Sequence, residues 1–524
     1  CRSLGRSSST PASMTDAAPS DYVARGDPEG ERGDHETGDE STGLPDRLIV
    51  AAAVVLSSSI VALPSALGGG SPVVARLGLV VGCLLVVVGV PRVARSRGVV
   101  ALLCIAVLCL LGFVLGDRAN RSLLVDARGP YTGWARVVDD PRSYRSSTWL
   151  LVEVNGERHE VWLRRSSHRA RAESLSAGEH VMISGERISL DPKRRSRVAW
   201  QHTVGELRVD WLGDVADGGA LARSSNRVRA LVADGAALIG APEDSLLRGL
   251  VIGDDLEQPA EMIERFRRSG LSHLTAVSGQ NVTLVLAASS PLLRRLRTRA
   301  RLLATIGLIA WFVMITRFEP SILRAGTMAV LAAVGAHIGR ERSPIRMLAF
   351  AVIALVVIDP LITRSVGLWL SVGATAGVIG IGPRLLPGLA RLGLLATPVA
   401  VTLGAQLGVA VPSLLAFGRL PLIGLVANLL AVPVAGLVML IGLPACLLAG
   451  LTATFAPLVG SLILAPVALG VRWVDRIAAI GDRLEPASSI PGVLVTAVLG
   501  CAILALARWS GDTTARRGAM NEAA

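Results

Sequence analysis

Uncharged apolar runs divide the chain before any motif does. Leu48–Leu67, Val73–Val90 and Val99–Leu115 come first, and a dense series extends from Leu274 to Leu506. Each approaches the roughly 20 residues a helix needs to cross a bilayer. The pattern predicts a polytopic α-helical membrane protein of roughly twelve spans. Between the third run and Leu274 the period shortens to two, over Gly133–Val138, Thr148–Val154, Glu160–Leu163, His180–Ile183 and Gly205–Trp211. Asp-Pro, Asn-Gly and Gly-Glu turns separate these segments, and Asn155-Gly156 is a hairpin signal. Such strands over 117–215 suit an inserted OB-like β-barrel domain.

Basic loops set the orientation. Arg92, Arg95 and Arg97 lie between the second and third runs, and Arg294, Arg295, Arg297, Arg299 and Arg301 follow a later one. Arg340/Arg342/Arg346, Arg384/Arg391 and Arg508/Arg516/Arg517 continue the alternation. With all of them cytoplasmic, both termini are inside and the β segment is extracytoplasmic, in a multi-pass protein of the bacterial plasma membrane. The expected partition is a disordered tail over 1–44, three transmembrane helices over 45–116, the β domain over 117–215, amphipathic helices at the outer membrane face over 216–270, a transmembrane channel domain over 271–507, and a cytoplasmic tail over 508–524. Pro242 and Pro259 open two of the amphipathic helices and Gly270 closes the second. The stretch Val471–Leu484 mixes Arg472, Asp475, Arg476 and Asp482 with apolar residues and predicts an interfacial helix. Ser, Gly, Asp and Glu dominate up to Thr42, and Met14 is read as the start.

Composition supports the membrane reading: 51% of the 524 residues are hydrophobic and only 4% aromatic, with mean hydropathy +0.53. A net charge of +12 suits a nucleic-acid partner, but cytoplasmic loops collect arginine in any membrane protein. Cys83, Cys104, Cys109, Cys446 and Cys501 lie in apolar runs. No Cys/His spacing suits zinc, and neither a metal nor a cofactor is expected.

Two groups of residues carry candidate chemistry. In the β segment, Trp149 and Trp162 lie among Arg142, Arg145, Arg164, Arg165, Arg194 and Arg195. Aromatic faces beside cations are what a single-strand DNA groove uses, because stacking ignores base identity and arginine follows phosphates. The alternative is that Trp134, Trp149 and Trp162 fill the domain core. The second group enters an apolar run yet carries His273, Ser278, Gln280 and Asn281 around Gly279. Polar side chains at membrane depth face a partner or a water-filled path, and a broken helix is tolerated only where its freed backbone is satisfied. Ordinary helix–helix hydrogen bonding is the alternative.

These residues also carry a family resemblance. Gly270-Leu271-Ser272-His273-Leu274 followed by Ala276-Val277-Ser278-Gly279 resembles the opening of the competence domain in the ComEC family. Pro320-Ser321-Ile322-Leu323-Arg324-Ala325, then Gly367-Leu368-Trp369-Leu370-Ser371, then Ala427-Asn428-Leu429-Leu430-Ala431-Val432-Pro433 follow in that family's order. Gln280-Asn281 departs from the Leu-His of many relatives. The resemblance implies a channel for transforming DNA, with His273, Ser278, Gly279, Gln280, Asn281, Arg324, Gln406 and Asn428 along the strand's path. It also implies an outer DNA-receptor protein and a cytoplasmic helicase-like ATPase as partners, besides single-stranded DNA and membrane lipid. Many relatives continue into a metallo-β-lactamase-like domain; after the tail to Ala524 a separate nuclease is expected here.

Three function classes follow. The first is the DNA channel, without catalysis. The second is a transporter of a small or lipidic solute with the barrel as a docking domain. The third is a membrane hydrolase using Ser278 with His273, which lacks a clear third partner. For Arg324, pairing with Asp359 or Glu319 is the competing expectation.

Overall fold

The computed structural model describes residues 107–486 with short breaks (108–109, 113, 125–127, 145, 276–277, 340–342 and 422), and positions 494, 498 and 501. The expected tail over 1–44, the first two apolar runs, most of the third, the tail over 508–524, and Arg145 lie outside the described residues.

Six strands form one sheet: β1 (Gly129–Val137), β2 (Arg142–Ser143), β3 (Thr148–Val154), β4 (Glu157–Leu163), β5 (His180–Ser189) and β6 (Thr203–Ala216). Their order is β1-β5-β6-β4-β3-β2, and β1 also pairs with β3, returning the ladder to its first strand. β4 and β6 run parallel, and the other pairings are antiparallel. Alternation drives the assembly: Val152, Val154, Val161, Val181, Ile183 and Leu207 all turn into one core. Asn155 (φ 52°) and Gly156 (φ 82°) supply the two successive left-handed residues of a tight hairpin, closed by Val154 opposite Glu157. Helices α1 (Ser166–Glu173) and α2 (Pro192–Val198) interrupt the strands.

The next helices, α3 (Ala220–Ala237), α4 (Glu243–Ile252) and α5 (Ala260–Arg268), occupy the stretch expected to lie on the membrane face. The structure places α4 inside the helical core, with every residue from 245 to 252 buried. Leu246, Leu247, Leu250 and Ile252 join a cluster with residues of α13 (Gly424–Thr452) and α14 (Pro457–Leu484). The expected separate interfacial helix over Val471–Leu484 is instead the second half of α14. Its charges are answered from α4 and α5: Arg472 meets Glu243 at 3.7 Å, Asp475 meets Arg265 at 2.7 Å, and Asp482 meets Arg268 at 3.1 Å. With those partners in place, a continuous helix carries three of its charges in ion pairs, while Arg476 is exposed.

The remaining helices are α6 (Gly279–Leu293), α7 (Thr298–Ile315), α8 (Pro320–His337), α9 (Pro344–Ile358), α10 (Val366–Ala376), α11 (Gly382–Leu389) and α12 (Ala396–Phe417). Among the described residues, four helical stretches are long and apolar enough to cross a membrane: α7, the run Val366–Phe417, α13 and α14. The run 366–417 is not one rod. A π-helical turn at Gly377–Ile381 and a left-handed Gly393 (φ 55°) let α12 fold back on α10.

That fold-back rests on glycine. Gly373 on α10 and Gly377, the first residue of the π-helical turn, face Gly408 and Gly404 on α12, so backbone meets backbone. A Cβ on Gly373 would lie 2.5 Å from the Gly408 carbonyl oxygen, and one on Gly404 would lie 2.7 Å from that of Gly377. Two small-xxx-small pairs in register are what close packing inside a membrane requires. Gly307 on α7, by contrast, has open space where a side chain would go. Gly404→Ala should therefore cost about 1–3 kcal/mol by overpacking, read as a lower thermal midpoint in detergent micelles. Gly307→Ala should leave the midpoint unchanged or raise it slightly. Equal effects at the two positions would contradict this packing.

Candidate functional site

The β domain meets the membrane helices at Asp140. Its carboxylate accepts from Arg317 through Nε at 2.9 Å and Nη2 at 2.7 Å, lies 3.1 Å from Arg229 Nη2, and accepts from the Ala177 N–H at 2.9 Å. Arg317 belongs to the turn between α7 and α8, where it and Phe318 both adopt φ 57°. Left-handed backbone at two successive non-glycine residues is strained, and the Asp140 contact is what holds the turn in that form. Burial alone would raise the Asp140 pKa, but Arg229 and Arg317 outweigh it and hold the carboxyl below its ordinary value. Farther along, His202 meets Asp359 at 3.0 Å and Arg364 donates to Asn120 at 2.8 Å.

A cleft of about 460 Å³ opens beside Asp140, lined among others by Glu173, Arg229, Asp254, Glu257 and Arg317. Its arginines are committed to carboxylates: Arg229 also lies 3.4 Å from Asp254. The cleft therefore offers no free cation to a polyanion. Arg142 lies 3.9 Å from Asp255, near Asp139 and Glu319. Burial, then the charge of Asp139, pushes the Glu319 carboxyl up to about 7, against the pull of Arg142.

The second centre is the interruption before α6. Gly270 (φ 75°) ends the approach, a single helical turn follows at Ser272–Thr275, and Ser278 is extended (φ −108°, ψ 161°) before α6 begins. Ser278 Oγ donates to Asn281 Oδ1 at 3.1 Å, and Asn281 Nδ2 donates to the Leu250 carbonyl of α4 at 3.0 Å. Asn281 is buried, Gln280 lies over Gly436 of α13, and His273 is exposed. Gly279 abuts the guanidinium of Arg324, one turn into α8. Arg324 is 6% exposed. It donates to Thr375 Oγ1 at 2.6 Å and approaches Met328 Sδ at 3.5 Å, and among the described residues it has no carboxylate partner. Neither Asp359 nor Glu319 pairs with it: one is taken by His202, the other faces the Asp139–Arg142 group. Thr375 lies between Gly373 and Gly377, so the glycine crossing sets its position.

Of the other residues expected on this path, Gln406 donates to the Pro421 carbonyl at 2.9 Å, tying α12 to the loop beside Gly270. Asn428 keeps a buried Oδ1 without a hydrogen-bond partner among the described residues. Ser278 is engaged by Asn281, so the structure builds no Ser–His dyad with His273.

In the β domain, Trp149 is 6% exposed and belongs to the interior, opposite Trp162. Trp162 is met by Tyr144 at 5.7 Å and Arg194 at 5.5 Å, but Arg194 gives Nε and Nη2 to the buried Glu160. Arg165 and Arg195 donate to the carbonyls of Asp210 and Leu190, and Arg164 is exposed. Trp134 and Trp211, about half exposed, stand outward instead. Sequence reasoning missed Asp140, Arg317 and Thr375; the Asp-Asp-Pro turn at 139–141 was the signal available for the first.

The profile of the family described as Competence protein matches residues 250–511. Among curated proteins, the uncharacterized protein YcaI of Escherichia coli K12 is 27% identical over 235 residues, 42% of this chain and 30% of that protein. ComE operon protein 3 of Bacillus subtilis 168 is 27% identical over 245 residues, 45% of this chain and 30% of that protein. The chain thus spans about a third of the length of these curated relatives. No solved structure matches.

Two measurements probe the junction. Asp140→Ala leaves two largely buried guanidinium groups without their shared carboxylate, a loss of about 3–5 kcal/mol, visible as a depressed thermal midpoint. Glu153→Ala, which removes the half-buried carboxylate facing the more exposed Arg136 and Arg158, should cost about 1 kcal/mol or less. For Glu319, a folded pKa near 7 lies above the ordinary 4.5. The folded state therefore holds a proton that the unfolded chain releases. Its contribution is greatest below pH 4.5, declines as pH rises to about 7, and is flat above. Glu319→Gln should remove that slope from a pH series of unfolding midpoints; an unchanged slope would assign it to another group.

Proposed function

The chain belongs to the competence protein family, and on that premise we propose that it conducts one strand of incoming DNA across the bacterial inner membrane into the cytoplasm. The observation that carries this reading is the start of α6 at Gly279, directly after an extended Ser278. It places Ser278, Asn281 and an arginine that has no carboxylate partner among the described residues in a bundle whose longest helices are apolar enough to span a bilayer. Such a set at membrane depth is costly without a polar passenger.

The β domain is read as an OB-like barrel. Support comes from the ring of pairings β1-β5-β6-β4-β3-β1 and its single parallel pair, an arrangement suited to single strands. The basic loops favour roughly twelve spans with both termini inside. Entry then runs from an outer receptor through the β domain and past the break, with Gln406 and Asn428 farther along. A cytoplasmic ATPase pulls and a nuclease removes the other strand.

The test is uptake of labelled duplex DNA into a nuclease-protected cytoplasmic pool. A strain lacking the gene should bind DNA at its surface without internalising it. Wild type should restore entry, and Gly279→Leu, which drives a side chain into the Arg324 guanidinium, should not. Normal entry without the gene would exclude the channel and favour a solute transporter.

A further inference from the structure

Among the described residues no acidic side chain answers the positive end of α6. The cap residue Ser278 makes no side-chain bond to the helix N-terminus, because its hydroxyl is given to Asn281. The N–H groups of Gly279 and Gln280 have no intrahelical acceptor by position. Beside this end lies a second positive group, the Arg324 guanidinium, so close that any side chain on Gly279 would displace it. Thr375 and Met328 hold one terminal nitrogen, but neither carries charge, and Nε has no partner. A helix N-terminus and a guanidinium repel each other, and a buried cation without a counter-ion is unfavourable. The bundle holds both together with no carboxylate among the described residues to separate them.

We propose that this is an oxyanion site whose ligand is a phosphate group. Helix N-termini and guanidinium edges are the two protein groups best suited to phosphate oxygens. Here Gly279, having no side chain, lets the guanidinium come against the helix end, and Thr375, fixed by the glycine crossing, orients it. The inference rests on the reading of the chain as a DNA conduit, which makes the occupant a phosphodiester of the passing strand. A phospholipid headgroup offers the same chemistry. The site reads no base, so it is indifferent to sequence, and as one cation it grips one phosphate at a time.

The experiment uses the full chain in phosphate-free maltoside micelles. Unfolding midpoints and binding are followed with an oligothymidylate and with the same oligomer carrying neutral methylphosphonate linkages. Wild type should be stabilised by the charged strand more than by the neutral one. Arg324→Gln should lose that discrimination, bind the charged strand about tenfold more weakly, and show a higher midpoint without ligand, because a destabilising buried charge is gone. Gly279→Ala, which keeps the arginine but pushes its guanidinium away from the helix end, should lose the discrimination too, and it stands in if Arg324→Gln does not fold.

Discrimination that survives both substitutions overturns the proposal, whatever the ligand-free midpoints do. A rise in midpoint with added phosphatidylglycerol that needs Arg324, with no such rise from oligothymidylate, overturns DNA as the ligand and assigns the site to lipid. Normal DNA entry in the strain lacking the gene is a separate failure, of the conduit reading itself.

Discussion

The Asp140 carboxylate is the point on which the two halves of the described structure depend. It receives Arg317 from the turn between α7 and α8, Arg229 from α3, and a backbone N–H of its own domain. Two cations drawn to one largely buried carboxylate are held in place only while it is ionised and correctly aimed. The turn at Arg317 and Phe318 is kept in a left-handed form that two ordinary residues would leave if released. Since α8 starts at Pro320, the same tether sets where that helix begins and the direction in which Arg324 points one turn later. Ion pairing in the β domain and geometry within the helices are therefore one problem.

What fixes the other side of Arg324 is of a different kind. Hydrophobic burial does not draw helices together in lipid, so close backbone approach takes over. The Gly373/Gly377–Gly404/Gly408 crossing brings α10 and α12 to backbone contact and leaves Thr375 and Gln406 set between the paired glycines. Thr375 accepts from Arg324 and donates to the Ser371 carbonyl, and Gln406 donates to Pro421. Small residues supply the precision that a soluble core obtains from interlocking side chains.

Much of this architecture is legible along the chain because it is local. Alternating residues mark the strands, Asn155-Gly156 marks its hairpin, and Pro242 and Pro259 mark two helix starts. The competence family is legible as well, since its motifs are contiguous. What the chain conceals depends on partners remote in sequence. The mixed face of α14 looks interfacial until Arg265 and Arg268 of α5 neutralise it. Helix α4 looks like a surface helix until α13 and α14 cover it. Trp149 and Trp134 are indistinguishable by pattern, yet one is sealed between strands and the other stands in solvent. Arg324 invites a carboxylate partner, and the two expected candidates, Glu319 and Asp359, are committed elsewhere.

The distribution of charge argues for a particular kind of passage. In the β domain Arg194 is bound to Glu160 and Arg142 lies beside Asp255; at the cleft Arg229 and Arg317 share Asp140. A surface that neutralises its own cations this thoroughly does not bind a polyanion by charge alone, and each phosphate held by a free arginine would add to its retention. A conduit must do the opposite of a storage site: a strand that enters must also leave, so the strong contacts have to be few. Within the helical bundle Arg324 has no carboxylate partner among the described residues; it is held by the neutral groups Thr375 and Met328 and lies against Gly279. For the DNA conduit proposed above, one cation in so neutral a setting meets a charged backbone without creating a well deep enough to trap it.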